Sequence, residues 1–437
     1  MITGALCLGA AAGGIALYRV LRPSVVPPAS VAITRFRAAG HTEREDGLAM
    51  SLAENLKSAL IASGKVDVRD IQPAPPAEAA AMARRIAVEA FLTGSVQTSG
   101  AGVESTVSLV RVSDGKTLWT ASFLGTVSNW FAVEDRAASG LLSGIWNELP
   151  VVRHHTADPE ADLLFWRGRL AMAVGTREAL RKAGELFQQA AEKDKADAPA
   201  WAGLADASLL LSARDQAARL EMLPRVRTVA RRAIELDPTI SEPFTALGLV
   251  AQNYDWNWDE AEHDLKRATD LDPYDALARL WYGEYLVLTG QTEKGLAELQ
   301  KAEHLEPLSV LIATEYSRCL YLARRYDDAI MKAREALGSS PQALEPHRWL
   351  AAALLQKGMA LESAAETALL GAPATPLSLA MVAAGAGNKD KAFGFLDQAF
   401  TEHEVGLANL KTDPAFLPLR TDPRFTALLA RLHFRQP

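Results

Sequence analysis

Two hydrophobic periods divide the chain. From residue 30 the apolar positions form short alternating runs. "SVAITRF" (30–36) and "VDVRDI" (66–71) read as strands. Between them Leu48, Leu52, Leu56 and Leu60 recur at helical spacing in "EDGLAMSLAENLKSALIAS" (45–63), which predicts an amphipathic helix. "AEAAAMARRIAV" (77–88) predicts a second helix. "AFLTGSVQTS", "VESTVSLVRV" and "TLWTASFLG" predict three strands, joined by "GAG" and "SDGK", which suit tight hairpin turns. "NWFAVEDRAASGLLSGIWNEL" (129–149) predicts a closing helix. The order β-α-β-α-β-β-β-α gives a compact α/β domain over 30–150.

Beyond residue 157 the pattern becomes helical and repeats. Pro238, Pro273, Pro307 and Pro341 lie 35, 34 and 34 residues apart, closing "RRAIELDP", "KRATDLDP", "QKAEHLEP" and "REALGSSP". A fixed 34-residue period is the signature of tetratricopeptide repeats, each a helix–turn–helix unit. In the unit closing at Pro307, Gly283, Leu286, Gly295, Leu299 and Ala302 alternate small and large packing positions. Tyr316, Ser317, Leu320, Ala329, Ala333 and Ala336 repeat them, and Gly248, Ala261, Leu265 and Ala268 precede them. Proline suits the end of each second helix because it cannot continue the backbone ladder. With weaker flanking units, about seven helix pairs are expected between 157 and 405. The tail "LKTDPAFLPLRTDPRFTALLARLHF" ends in a short amphipathic helix, expected to cap the exposed end of the stack.

The first 21 residues, "MITGALCLGAAAGGIALYRVL", carry no charge before Arg19. Ile2 to Tyr18 is a run of 17 apolar or small residues, near the lower limit for a spanning helix. Residues 1–22 are read as a transmembrane helix or signal anchor. A cleaved signal peptide is the rival, but it lacks a basic start and an A-x-A site before Pro23. Gly9 and Gly13, with Ala5 one turn earlier, form a small-residue face that would let two spanning helices touch and the chain dimerise. "PSVVPPA" (23–29) reads as a linker. The expected fold class is mainly α: a helical tetratricopeptide-repeat solenoid (157–437) preceded by a small α/β domain and an N-terminal membrane helix.

The 437 residues allow two or three domains, and a 49% hydrophobic content supplies their cores. A net charge of −7 gives no argument for nucleic acid, so no direct nucleic-acid partner is expected. Two cysteines, Cys7 and Cys319, exclude a disulfide framework or a zinc cluster.

No catalytic motif emerges. There is no G-x-x-x-x-G-K-S/T phosphate loop and no H-E-x-x-H. Asp259 and His263 share a helical face at i, i+4, which could hold a divalent ion, but they are read as a solvated face of a repeat helix and no metal is expected. His154 and His155 are adjacent and point apart, so no metal pair is expected. No cofactor is expected, and the chain is read as non-enzymatic. Trp256 and Trp258 in "NYDWNWDE" are expected to pack against the neighbouring unit rather than form an exposed patch. First helices line the inner surface of such a solenoid. The groove positions fall at Glu242, Gln252, Glu284, Arg318, Tyr321, Glu345 and Arg348. They form a polar, mixed-charge surface that either takes a protein or peptide segment or is simply solvated.

"FLTGSV", "VSLVRVSDGKTLWTASF" and "FAVEDRAAS" resemble the TolB amino-terminal-domain-like module over 30–150. "NYDWNWDEAEHDLKRATDLDP" and "TDPAFLPLRTDPRF" resemble the tetratricopeptide region that follows that module in many bacterial proteins. The resemblance implies a pair of modules standing after a single membrane helix, often behind a winged-helix DNA-binding, class III nucleotide cyclase or kinase domain. No such effector is found in this sequence. The implied role is a sensory or scaffolding component of the bacterial inner membrane. The alternative is the sensory half of a one-component regulator or nucleotide cyclase whose effector domain is missing from this chain. Arg19 and Arg22 alone favour a cytoplasmic body by the positive-inside rule. The resemblance implies a periplasmic one, and that is the expectation carried forward.

Overall fold

The computed structural model describes residues 26–40, 42–71, 76–147, 155–174, 176–214, 216–371 and 375–434. The expected span at 1–22, with Ala5, Gly9 and Gly13, lies outside them. Among the described residues no helix is long and apolar enough to cross a membrane.

The α/β domain follows the predicted order. β1 (Ser30–Ile33) and a short β2 (Arg37–Ala38) precede α1 (Glu43–Ser63), then come β3 (Asp67–Asp70) and α2 (Pro76–Arg85). β4 (Ala90–Ser99), β5 (Gly102–Arg111) and β6 (Thr117–Thr126) form a meander closed by α3 (Trp130–Ile145). The sheet order is β3-β1-β4-β5-β6, with β2 pairing β4. β1 runs parallel to β3 and β4, and the meander is antiparallel. Thr42 caps α1 by accepting from the Glu45 N–H, and Gly64 at φ 62° ends it. Leu48, Leu52, Leu56 and Leu60 are all buried on one face of the sheet with α3. Each such burial is worth about 1.5–3 kcal/mol over exposure. The other face is covered by α2 through Ala79 and Ala83.

Seven helix pairs follow among the described residues. The first two are α4 (Pro159–Val174) with α5 (Arg177–Lys193), and α6 (Ala198–Arg214) with α7 (Gln216–Leu236). Next come α8 (Glu242–Val250) with α9 (Trp258–Leu271), and α10 (Ala276–Leu288) with α11 (Thr292–Leu305). α12 (Val310–Leu322) pairs with α13 (Tyr326–Ser339), and α14 (Leu344–Gln356) with α15 (Ala360–Leu370). The last pair is α16 (Pro376–Gly385) with α17 (Lys389–Thr401). Pro238, Pro273, Pro307 and Pro341 each stand two residues past a second helix, as expected.

The small residues sit where helices cross. A Cβ on Gly283 would lie 2.9 Å from the Gly295 carbonyl oxygen. One period later Ser317 Oγ donates to the Ala329 carbonyl at 2.8 Å, and one further Ser363 Oγ donates to the Ala351 carbonyl at 2.8 Å. The turn within each pair also repeats: Trp256, Gly290, Arg324 and Gly358 all have left-handed φ, at 54°, 94°, 62° and 78°. Glycine takes this conformation freely, whereas tryptophan and arginine are strained in it.

The two parts interlock. Leu163 of α4 packs into the α1–α3 face of the α/β core, and Leu308, just before α12, packs into the opposite face. The α1–α4 crossing is close enough that a Cβ on Gly47 would lie 2.7 Å from Leu163 Cδ1.

The tail departs from expectation. Residues 405–434 do not cap the exposed end of the stack. They fold back so that Phe416, Leu419, Phe425, Leu428, Leu432 and Phe434 share one core with Leu280, Tyr285, Leu320, Tyr321 and Leu350. The tail is rich in large apolar side chains, and the first helices offer an apolar surface that buries them. The pairs up to α14–α15 pack each on the next, but no comparable packing joins α14 or α15 to α16. The stack therefore ends at α15, and α16 packs instead on the tail segment Pro414–Leu419.

Candidate functional site

Four of the seven expected groove residues lie beneath the tail. Gln252, Glu284, Arg318 and Tyr321 are buried. Gln252 Nε2 donates to Glu284 Oε1 at 3.0 Å, and Glu284 pairs with the Arg318 guanidinium at 2.7 Å. Arg318 also pairs with Glu315 at 2.6 Å and donates to Asn409 Oδ1 at 2.9 Å. Tyr321 donates to Asp413 Oδ1 at 2.9 Å. Burial alone would lower the Arg318 pKa, but Glu284 and Glu315 outweigh it and hold it well above the ordinary value. Burial pushes Glu284 and Asp413 upward, against the pull of their partners. In this structure the polar groove is occupied by the chain's own segment.

The other three positions remain at least partly open. Glu345 and Arg348 are exposed on α14 and pair with each other at 3.2 Å. Glu242 is half-buried beside Asp206 and Asp275. Burial, then Asp275, raises its pKa, and burial with Glu242 pushes Asp206 up to about 8.

The turn tryptophans are packed as expected, Trp258 lying 6.4 Å from the Tyr285 ring of the neighbouring unit, and both also meet the carboxyl-terminal part. Trp256 stacks on Phe400 and His403, with ring centroids 4.8 and 5.0 Å away. Trp258 stacks on Phe434 at 4.4 Å and donates to the Leu432 carbonyl at 2.9 Å. His263 leans on Asp264 at 2.8 Å, and no metal-holding cluster is found among the described residues.

A buried polar network at the domain joint was not apparent from the sequence. His155 Nδ1 lies 2.8 Å from Asp197 Oδ1, and its Nε2 lies 3.0 Å from Asp162 Oδ1. Its ring packs against Phe165 at 4.5 Å, the two planes tilted by 56°. Asp162 accepts from Trp166 Nε1 at 3.0 Å and from Ser51 Oγ at 3.1 Å, and Ser51 also contacts Glu134. Burial, then Asp162, pushes Glu134 well above the usual carboxylate range. Burial would lower His155, but the two aspartates raise it to about 9. Ser51, Glu134, Asp162 and Asp197 come from four separate stretches, so spacing alone could not join them.

The exposed end of the stack is apolar. α15 buries Ser363 alone, whereas α13 buries Ala329, Ile330, Ala333 and Ala336. Leu361 is 89% exposed, Leu355 58% and Leu369 57%. The sequence shows "LESAAETALL" as an apolar-rich helix followed by another helix pair, and only the packing of α16 on the tail leaves it bare.

No protein-family model and no curated protein matches the chain. Similar solved structures include the human IFIT1 dimer with m7Gppp-AAAA, 16% identical over 69% of this chain and 73% of that one, with a TM-score of 0.44. YrrB, described as a TPR protein with an unusual peptide-binding site, is 19% identical over 45% of this chain and 92% of its own, with a TM-score of 0.29. A TPR protein from Thermus thermophilus is 23% identical over 45% and 99%, with a TM-score of 0.36. The 34-residue period and the helix pairs themselves make the carboxyl-terminal part a tetratricopeptide-repeat module.

Proposed function

We propose that the chain is a non-enzymatic protein-interaction module whose partner docks an apolar helix on the uncovered end of the stack, α14–α15. The observation that carries this reading is α15, a second helix whose outer face is left open. Earlier in the stack such a face is covered by the first helix of the next pair, as α14 covers α13. A partner helix that continues this stacking would cover Leu361 and Leu369, with Glu345 and Arg348 on a polar rim. Apolar patches of this kind mark interaction sites. The inner groove is the poorer candidate, because the tail already fills it.

A sensory or scaffolding role at the bacterial inner membrane, with the body in the periplasm, belongs to the same proposal. It rests on the resemblance of residues 30–150 to the TolB amino-terminal-domain-like module and on the apolar run at 1–22. The same resemblance supports the sensory half of a one-component regulator or cyclase as the alternative.

The test is a partner captured on the full chain, identified, and titrated against wild type and the Leu361→Glu/Leu369→Glu variant. The reading requires a loss of at least tenfold in affinity, the scale of burying unpaired charge in an apolar contact. Equal affinity would overturn the docking face. Alkaline phosphatase fused to Pro437 tests the tether: activity in the membrane fraction is expected, and an inactive or soluble fusion removes it.

A further inference from the structure

A cavity of about 430 Å³ lies where the α/β domain meets the solenoid. Ile33, Met50 and Ile71 line it from the α/β side, and Leu308 and Val310 from the repeat side. Its polar lining includes Glu54 of α1, Asp70 at the end of β3, Arg35 after β1, and Glu306 at the end of α11. Cavities between domains are frequent ligand sites, and this one falls within the usual size range.

The carboxylates are unequally provided for. Lys57 of α1 reaches Asp70 in an ion pair and lies 3.7 Å from Glu54. Burial would lower the Lys57 pKa, but Glu54 and Asp70 hold the ammonium above its ordinary value. Arg35 faces Asp46 and Glu54. Across the cavity, no hydrogen bond or close ion pair among the described residues reaches the Glu306 side chain. Burial, then Asp70, pushes Glu306 up to about 7, with Asp275 and Glu54 adding to it and Lys57 opposing. One alkyl-ammonium, that of Lys57, is thus already built into the acidic wall. The carboxylate on the opposite side has no close partner of its own and feels Lys57 only from a distance.

We infer that this cavity binds a small aliphatic amine, its ammonium on Glu306 and its carbon chain against Ile33, Met50, Ile71, Leu308 and Val310. A neutral donor could hydrogen-bond Glu306 but would leave its charge uncompensated, an anionic ligand would be repelled, and a bare cation would leave the apolar wall unused. Because Glu54 and Asp70 belong to one domain and Glu306 to the other, the bound amine spans the joint. This inference is independent of the docking face on α15.

The experiment is calorimetric titration of the full chain with 1,4-diaminobutane, with 1,4-butanediol as the uncharged counterpart. Saturable binding of the diamine and none of the diol is expected at pH 8. Glu306→Gln should weaken it roughly ten- to a hundredfold, the range for losing a charged hydrogen bond. Glu178→Gln, on the exposed surface of α5, should leave it unchanged. Binding must weaken in wild type as pH falls through about 7, where Glu306 takes a proton, and stay flat in Glu306→Gln. Val310→Phe, which fills the cavity, should abolish binding even if the carboxylate variant folds poorly. Absence of diamine binding, an equal response to the diol, or undiminished binding by both variants would overturn the inference.

Discussion

Arg318 Nη1 and Asn409 Oδ1, 91 positions apart in the chain, share a 2.9 Å hydrogen bond that pins the tail to the inner face of the solenoid. The same guanidinium pairs with Glu284 and Glu315, so a residue expected to wait for a partner is already fully engaged.

Arg318→Ala should therefore act as a core mutation. It strands the Glu284 carboxylate in a buried site, and breaking such a pair costs about 3–5 kcal/mol. Arg348→Ala removes an exposed pair and should change stability by less than about 1 kcal/mol. Urea unfolding of both variants decides. Similar small losses would mean that the tail does not cover Arg318 in solution.

Arg324 offers a stabilising change. It is exposed and held at φ 62°, where its equivalents one period away on either side are glycines. Arg324→Gly should raise stability by about 0.5–1 kcal/mol, relief of left-handed strain less the added chain entropy. A lower melting temperature would contradict the turn geometry.

Gly283→Ala should do the opposite. Its methyl group would meet the Gly295 carbonyl at 2.9 Å and Leu299 Cγ at 3.0 Å, forcing α10 and α11 apart. Overpacking of this kind costs about 1–3 kcal/mol. A variant as stable as wild type would show that the crossing is looser than described.

His155 predicts a pH dependence with a definite sign. Its folded pKa of about 9 lies above the ordinary 6.5, so its contribution is complete below pH 6.5 and lost as pH rises through 9. The shift corresponds to about 3 kcal/mol. The stability gap between wild type and His155→Gln should narrow by that amount from pH 6.5 to 9. Comparing the two cancels the parallel contributions of Asp206 and Glu306, whose raised pKa values also lower stability as pH rises. A constant gap would mean that Asp162 and Asp197 do not hold the imidazolium.

Much of the local structure was legible. Leu48, Leu52, Leu56 and Leu60 marked α1, the proline ladder marked the ends of the second helices, and Gly248, Gly283 and Ser317 marked the crossings. The site was less so. Of the candidate groove residues Glu345 and Arg348 are exposed, whereas Gln252, Glu284, Arg318 and Tyr321 are covered. A repeat template places a residue on the inner face and says nothing about what else occupies that face.

The sequence alone determined the seven helix pairs and the α/β order, because periodicity, proline stops and hairpin turns act over a few residues. Only the tertiary structure decided that Phe416 and Phe434 fill the groove, that α15 is left bare, and that Leu163 and Leu308 clasp the α/β core from both sides. Those contacts join segments far apart in the chain. They are chosen by which apolar surfaces fit when the whole chain competes for burial, and no local pattern records that competition.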